Sequence, residues 1–323
     1  MRGARLLPAL IVAWAACGDA RPLDADAGPR RLGDTALYRD IADKTIASDA
    51  LEFAPAYVLW SDGAQKRRWV RLPRGKKIDT SDMDRWRLPV GTQFYKEFSR
   101  DGKRLETRLI ERVADTGDDR ADYWMGAFVW TDDETDAVFA AEGAENVRGT
   151  DHDVPAADLC WRCHIGEPGH ALGFSALQLS HDGPGVTLAQ LDDDGRLSNP
   201  TGREYRLAGA PLQNAALGYL HANCGHCHNP SGGAWSSTSQ VLRLGIADAD
   251  TAMPAVVASI VGVPLQSWLG HGYTLRVVPG DPDASALYFR MSVRNPDPGM
   301  PPLATEIPDD TGLAAVRAWI SSL

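Results

Sequence analysis

The pattern Cys-x-x-Cys-His occurs twice in this chain, at Cys160-Trp161-Arg162-Cys163-His164 and at Cys224-Gly225-His226-Cys227-His228. Together the two copies use four of the five cysteines. Two thiols at this spacing add across the vinyl groups of a haem, and the next histidine is delivered beneath the iron as an axial ligand. With 5 Cys and 8 His in 323 residues, chance gives only about 0.002 such matches per chain. The chain is therefore expected to carry two covalently attached haem c groups. Cys160 and Cys163 would hold one and Cys224 and Cys227 the other, with His164 and His228 as proximal iron ligands. For Cys160 and Cys163 a structural zinc site or a disulfide is the alternative.

Both ends of the argument about location lie at the N-terminus. Arg2 and Arg5 precede a short apolar run, Leu6 to Ala16, that is too short to span a bilayer. The run ends Ala15-Ala16-Cys17-Gly18. Small residues before a lone cysteine resemble a bacterial lipoprotein cleavage site, with Cys17 lipidated as the mature N-terminus. A plain secretory signal with an incidental cysteine is the alternative. Export to the periplasm or cell envelope agrees with covalent haem attachment, and lipidation would account for the fifth cysteine. Membrane association is then expected through an N-terminal lipid. The formal net charge of −10 argues against nucleic-acid binding and is compatible with a basic redox partner.

Texture divides the rest. Residues 18–36 are rich in Asp, Ala, Pro and Gly and read as a tether, overlapping a short helix expected over Ala36–Ile46. Residues 37–149 read as a β-rich domain. Apolar and polar residues alternate in Phe94-Tyr95-Lys96-Glu97-Phe98 and Glu106-Thr107-Arg108-Leu109-Ile110, with turn signals such as Asp101-Gly102 between the runs. That pattern predicts an antiparallel β-sandwich. Residues 150–204 carry the first motif in a loop-rich stretch. Residues 205–323 turn helical, with helices predicted over Pro211–Asn223, Pro282–Val293 and Gly312–Leu323. The expected fold class is thus mixed and multidomain, an N-terminal sandwich followed by an all-α domain.

The C-terminal region resembles a class I c-type cytochrome domain. Ala216 and Leu220 stand where that fold packs its first helix against its last. Val316, Trp319 and Ile320 give the last helix a matching apolar face. Gly299-Met300-Pro301-Pro302 resembles the loop that offers a thioether as second axial ligand, which makes Met300 the expected distal ligand of the C-terminal haem. Met291 and Met253 are the alternatives. His226 is expected at the surface and His221 on a helix face. Arg290 and Arg294 are candidates to pair with haem carboxylates. The first motif has no such Met-Pro loop. His170, His152, His181 and Met125 are candidates for its sixth position, which is otherwise open.

Taken whole, residues 53–323 resemble a bacterial family of exported dihaem c-type cytochromes. The likeness rests on Leu59-Trp60-Ser61-Asp62-Gly63-Ala64, Phe94 to Phe98, Glu106 to Leu109, His152 to Pro155, Leu172-Gly173-Phe174 with Gln178-Leu179, Tyr219 to Pro230, and Met300-Pro301-Pro302. It implies haem binding and electron transfer, and no established substrate. No pattern points to a catalytic side chain. Two rivals remain: a peroxidase-like dihaem enzyme with one open iron, and a glycan- or protein-binding lipoprotein using aromatics such as Trp60, Trp69, Trp86, Trp124 and Trp130.

Overall fold

The computed structural model describes residues 28–294 and 297–323. The expected signal peptide, Cys17 and the first part of the tether lie outside the described residues.

Strands β1 (Tyr38–Asp40) and β2 (Thr45–Ile46) form a small antiparallel pair where the sequence suggests a helix. Tertiary contacts override local preference here. Leu37 and Tyr38 are buried under the main sheet, and the Tyr38 hydroxyl donates to Glu97 at 2.9 Å. The main sheet has six antiparallel strands in sequential order: β3 (Leu51–Glu52), β4 (Gln65–Arg71), β5 (Gln93–Arg100), β6 (Lys103–Arg112), β7 (Tyr123–Trp130) and β8 (Ala137–Phe139). Asp101-Gly102 is the two-residue loop joining β5 to β6.

The expected sandwich is not formed. The β-rich region has one large sheet, and each face is covered by non-strand chain. Trp69, Tyr95, Leu109, Phe128 and Trp130 point one way and pack on Leu32, Leu37 and Tyr38 from the N-terminal arm. Val70 and Phe94 point the other way and pack on Phe174, Leu179, Leu188, Leu191 and Leu197, which follow the first motif. Burial of both faces explains why β7 is apolar along nearly its whole length. Trp69, Trp86, Trp124 and Trp130 are all core residues.

Three short helices serve this half: α1 (Asp119–Asp122), α2 (Cys160–His164) and α3 (Leu188–Asp193). The C-terminal half contains α4 (Pro211–Cys224), α5 (Trp235–Thr238), α6 (Ala255–Ile260), α7 (Ala286–Ser292) and α8 (Asp310–Ser321). Proline at its first turn starts α4, and Asp309 caps α8 by accepting from the amides of Thr311 and Gly312. The two helices pack closely: a Cβ on Gly312 would lie 2.0 Å from the Tyr219 ring. Ala216, Leu217 and Leu220 meet Val316, Trp319 and Ile320 in one buried core.

This half is not an all-α cytochrome domain. Long irregular stretches separate the helices, and isolated β-bridges join Val261 to Val277 and Pro264 to Leu275. Glycines and prolines at 262, 264, 270, 272, 279, 280 and 282 break helical continuity there. Nor does it stand apart from the sheet. Asp62 accepts from Thr305, Glu306 and Ile307, and the Trp60 indole donates to the Ile307 carbonyl.

Candidate functional site

In the first motif, Cys160 and Cys163 lie one turn apart on α2, with His164 ending that helix. In the second, Cys224 ends α4 and the chain turns tightly, so that the amides of Cys227 and His228 both donate to the Cys224 carbonyl at 3.1 and 2.9 Å. All four cysteines are free thiols. Two short local structures thus solve the same spacing problem.

The two motifs touch. The Cys227 thiol donates to the Arg162 carbonyl at 3.6 Å, and Cys163 and Cys227 line one cavity. A Cβ on Gly166 would lie 2.0 Å from the His226 carbonyl oxygen, so only glycine lets the loops approach this closely. Asn229 donates to the Gly166 carbonyl at 3.1 Å, and partly buried Arg243 makes two 3.1 Å bonds to buried Glu167. His226, expected at the surface, is buried, and its Nδ1 has no hydrogen-bond partner among the described residues. His221 accepts the Leu244 amide at 3.1 Å.

Each motif histidine has one nitrogen committed. His164 Nδ1 lies 2.6 Å from the His170 carbonyl oxygen. A carbonyl only accepts, so Nδ1 carries the proton and Nε2 is left with its lone pair. His228 Nδ1 lies 3.3 Å from Thr238 Oγ1, whose own proton goes to the Ala234 carbonyl at 2.9 Å. The same tautomer follows. Among the described residues neither Nε2 has a hydrogen-bond partner. Burial pushes His164 down to about 3 and His228 down to about 4, so both rings are neutral, the state in which imidazole binds metal. Burial raises Cys160 to about 11 and Cys224 to about 12. Cys163 is lowered, first by the neighbouring Cys227 thiol, whose own value rises because of it.

Two cavities flank the motifs. One, of about 800 Å³, is lined by Cys160, Cys163 and His164 on one side and by Arg68, Phe94, Lys96, Arg108, Ile110 and Met125 of the sheet on the other. A neighbouring cavity shares Cys163, His164, Lys96 and Arg108 with it and extends to Cys227 and His226. The other flanking cavity, of about 460 Å³, is lined by Cys224, His228, Arg276, Arg290, Met291 and Met300. At the first cavity paired thiols and a neutral imidazole with a free Nε2 meet, as a thioether-bound haem requires; at the second Cys224, His228 and Met300 line the cavity, while Cys227 lines the neighbouring one with Cys163.

Met300 is braced by its backbone. Its amide donates to the Arg290 carbonyl at 2.8 Å, and its carbonyl accepts from Arg294 at 3.1 Å. Arg294 is spent on this loop, while Arg290 faces the cavity. Met291 also lines the cavity but is packed into the helical core, and Met253 is exposed far from it. At the first motif three candidates are engaged elsewhere. His152 bonds Glu106 at 2.7 Å. His170 donates from Nδ1 to the His164 carbonyl at 2.8 Å, with its Nε2 3.5 Å from Asp119. His181 bonds the Ala54 carbonyl and the Gly183 amide. Met125 alone of the four lines the cavity. Among the described residues no three His, Cys, Asp or Glu side chains are arranged to hold a metal ion. A structural zinc site needs four such donors, whereas haem iron needs one or two.

Sequence reasoning missed three features: the contact between the motifs, the burial of His226, and the cations of the sheet face. Only the last left a trace, as Lys and Arg at inward positions of alternating strands.

Comparison with family models, curated proteins and solved structures found no match.

Proposed function

We propose that the protein is a dihaem c-type cytochrome of the cell envelope that relays electrons, anchored through a lipid on Cys17. The observation that carries this is the gathering of Cys224, His228 and Met300 around one cavity, from segments far apart in sequence. Cys160 and Cys163 would hold the first haem with His164 on its iron. Cys224 and Cys227 would hold the second, with His228 and Met300 as the axial pair. Bound in these cavities, haem supplies one-electron chemistry. The chain supplies the rest. The His170 carbonyl and Thr238 hydroxyl fix the tautomer of each proximal histidine and aim its Nε2. The bond to the Arg290 carbonyl and the bond from the Arg294 guanidinium hold the Met300 loop in place. The bond from Cys227 to the Arg162 carbonyl joins the two motifs through protein atoms.

The test is a haem count by pyridine haemochrome and intact mass, on protein matured with c-type assembly machinery. Two haems are expected. Replacing Cys224 and Cys227 by serine removes one, and replacing Cys160 and Cys163 removes the other. A count unchanged by the second pair returns the first motif to a non-haem role.

One observation favours a second reading, a redox enzyme with an open first iron. His152, His170 and His181 are all committed to other partners. Carbon monoxide added to the reduced protein separates the two: binding at the first haem means an open position, and no binding means that a side chain such as Met125 fills it.

A further inference from the structure

The sheet face opposite the first motif carries a row of cations. Strand register sets Arg68 of β4 opposite Lys96 of β5, and Lys96 opposite Arg108 of β6. All three line the 800 Å³ cavity. Like charges directly opposite one another on neighbouring strands are destabilising. A row of three in an otherwise apolar cavity calls for anions.

The protein supplies one. Glu106 binds Arg108 through both oxygens, at 2.8 and 2.6 Å, and accepts a further bond from His152. Arg108 is thereby neutralised and Glu106 is fully used. Arg68 and Lys96 have no carboxylate partner among the described residues. The Lys96 ammonium lies 4.7 Å over the Phe98 ring. Arg68 is 6% exposed, and burial alone draws it down to about 10. Burial, with Arg68 and Arg108 beside it, draws Lys96 well below its ordinary value, so two basic groups are left over that an anion would keep charged, and a haem carries two carboxylates.

The order of the row agrees. Arg108, on β6, bears on Cys160, Cys163 and His164, and Lys96 bears on His164. Arg68 comes next, one strand further away. On a porphyrin the propionates leave from the edge opposite the vinyl groups, so carboxylates are expected at the end of the row remote from the thiols. A guanidinium there can bind a carboxylate through two parallel bonds.

We propose that Arg68 and Lys96 are the seat for the two propionates of the haem attached at Cys160 and Cys163. This rests on the haem reading of the first motif. A free oxyanion has the same chemistry, so the experiment separates the two. Full-length matured protein is compared with Arg68→Met, Lys96→Met and Arg68→Lys. Haem count, haem-resolved potentiometry and the propionate bending vibration in resonance Raman are measured on each.

The expected result is two haems throughout. In both methionine variants the first haem's potential shifts negative and its propionate vibration moves, while the second haem is unchanged. Arg68→Lys restores much of both. Sulfate added at constant ionic strength leaves the wild-type spectrum alone, because the cations are already occupied. An unmoved propionate vibration in both methionine variants would overturn the assignment. So would a sulfate-dependent spectral change at the first haem that Arg68→Met abolishes, since that assigns the seat to a free anion. A chain with no haem at Cys160 and Cys163 overturns the underlying reading, and the haem count identifies that failure separately.

Discussion

At the first motif the histidine donates to a backbone carbonyl, that of His170, and looks across its cavity at a β-sheet bearing Arg68, Lys96 and Arg108. At the second the histidine donates to a side-chain hydroxyl, that of Thr238, and shares its cavity with Met300, Met291 and the end of a helix. The five-residue motif is common to both and cations line both cavities, but the surroundings differ in what would tune a bound haem iron: the candidate distal ligand, the placement of nearby charge and the acceptor behind the motif histidine. On the proposed reading, local sequence would set attachment, and tertiary structure would set what the attached group is tuned to do.

The largest effect that would sharpen this contrast is expected at the distal position. Met300→Ala removes the thioether from the second cavity only. The near-infrared sulfur-to-iron charge-transfer band of the oxidised protein should vanish, the second haem's potential should fall, and carbon monoxide should bind there. The first haem should not respond. If the band survives Met300→Ala and disappears in Met291→Ala, the helical methionine of the same cavity is the ligand. Survival in both would remove the thioether from this cavity and erase the contrast.

The sequence shows the second region better than the first, for a physical reason. Helices α4 and α8, their shared apolar face and the Met300 loop are sequential patterns with local causes, and they appear close to where periodicity puts them. Strand alternation in Phe94–Phe98 and Glu106–Ile110 is equally local. What covers a sheet is not. Alternation says that a face is buried and is silent on its partner, so the sandwich expectation fails where the N-terminal arm and the segment after the first motif take the place of a second sheet. The helix expected over Ala36–Ile46 fails likewise, because Tyr38 is committed to Glu97 in a distant strand. The contact between the two motifs depends on Gly166, whose role appears only when the two loops are folded together.

A smaller effect should separate the regions through stability. Glu106 is fully buried beside the first cavity. Burial alone would raise its carboxyl, but the Arg108 charge and the bonds from His152 and Arg108 outweigh that and lower it to about 2. A folded value below the unfolded one means stability that is complete above about 4.5, the ordinary value. It is lost as pH falls through the folded value near 2. Glu106→Gln should cost roughly 3 kcal/mol at neutral pH, since it leaves the partly buried Arg108 without its carboxylate. The acid limb of the denaturation profile should flatten between those two values. Chemical denaturation across that pH range checks this. An equal acid limb in wild type and variant would mean that another carboxylate governs it.

The smallest expected effect isolates the acceptors behind the two proximal rings. Thr238→Val keeps size and shape but deletes the oxygen that accepts from His228 Nδ1. The 3.3 Å separation marks a weak bond, so attachment and fold should survive. Without its acceptor the imidazole is a poorer donor to iron, which favours Fe(II), and the second haem's potential should move positive by a modest amount. Thr238→Ser should restore it. No side-chain change can do the same at His164, because its acceptor is a peptide carbonyl held in the reciprocal pair with His170. The first haem therefore serves as the internal control in potentiometry of the variant. If both potentials move together, the two centres are coupled more strongly than their separate acceptors allow, and the contact between the motifs becomes the place to look for the cause. If neither moves, the Thr238 bond has no electronic consequence and the contrast between the sites reduces to distal ligand and charge.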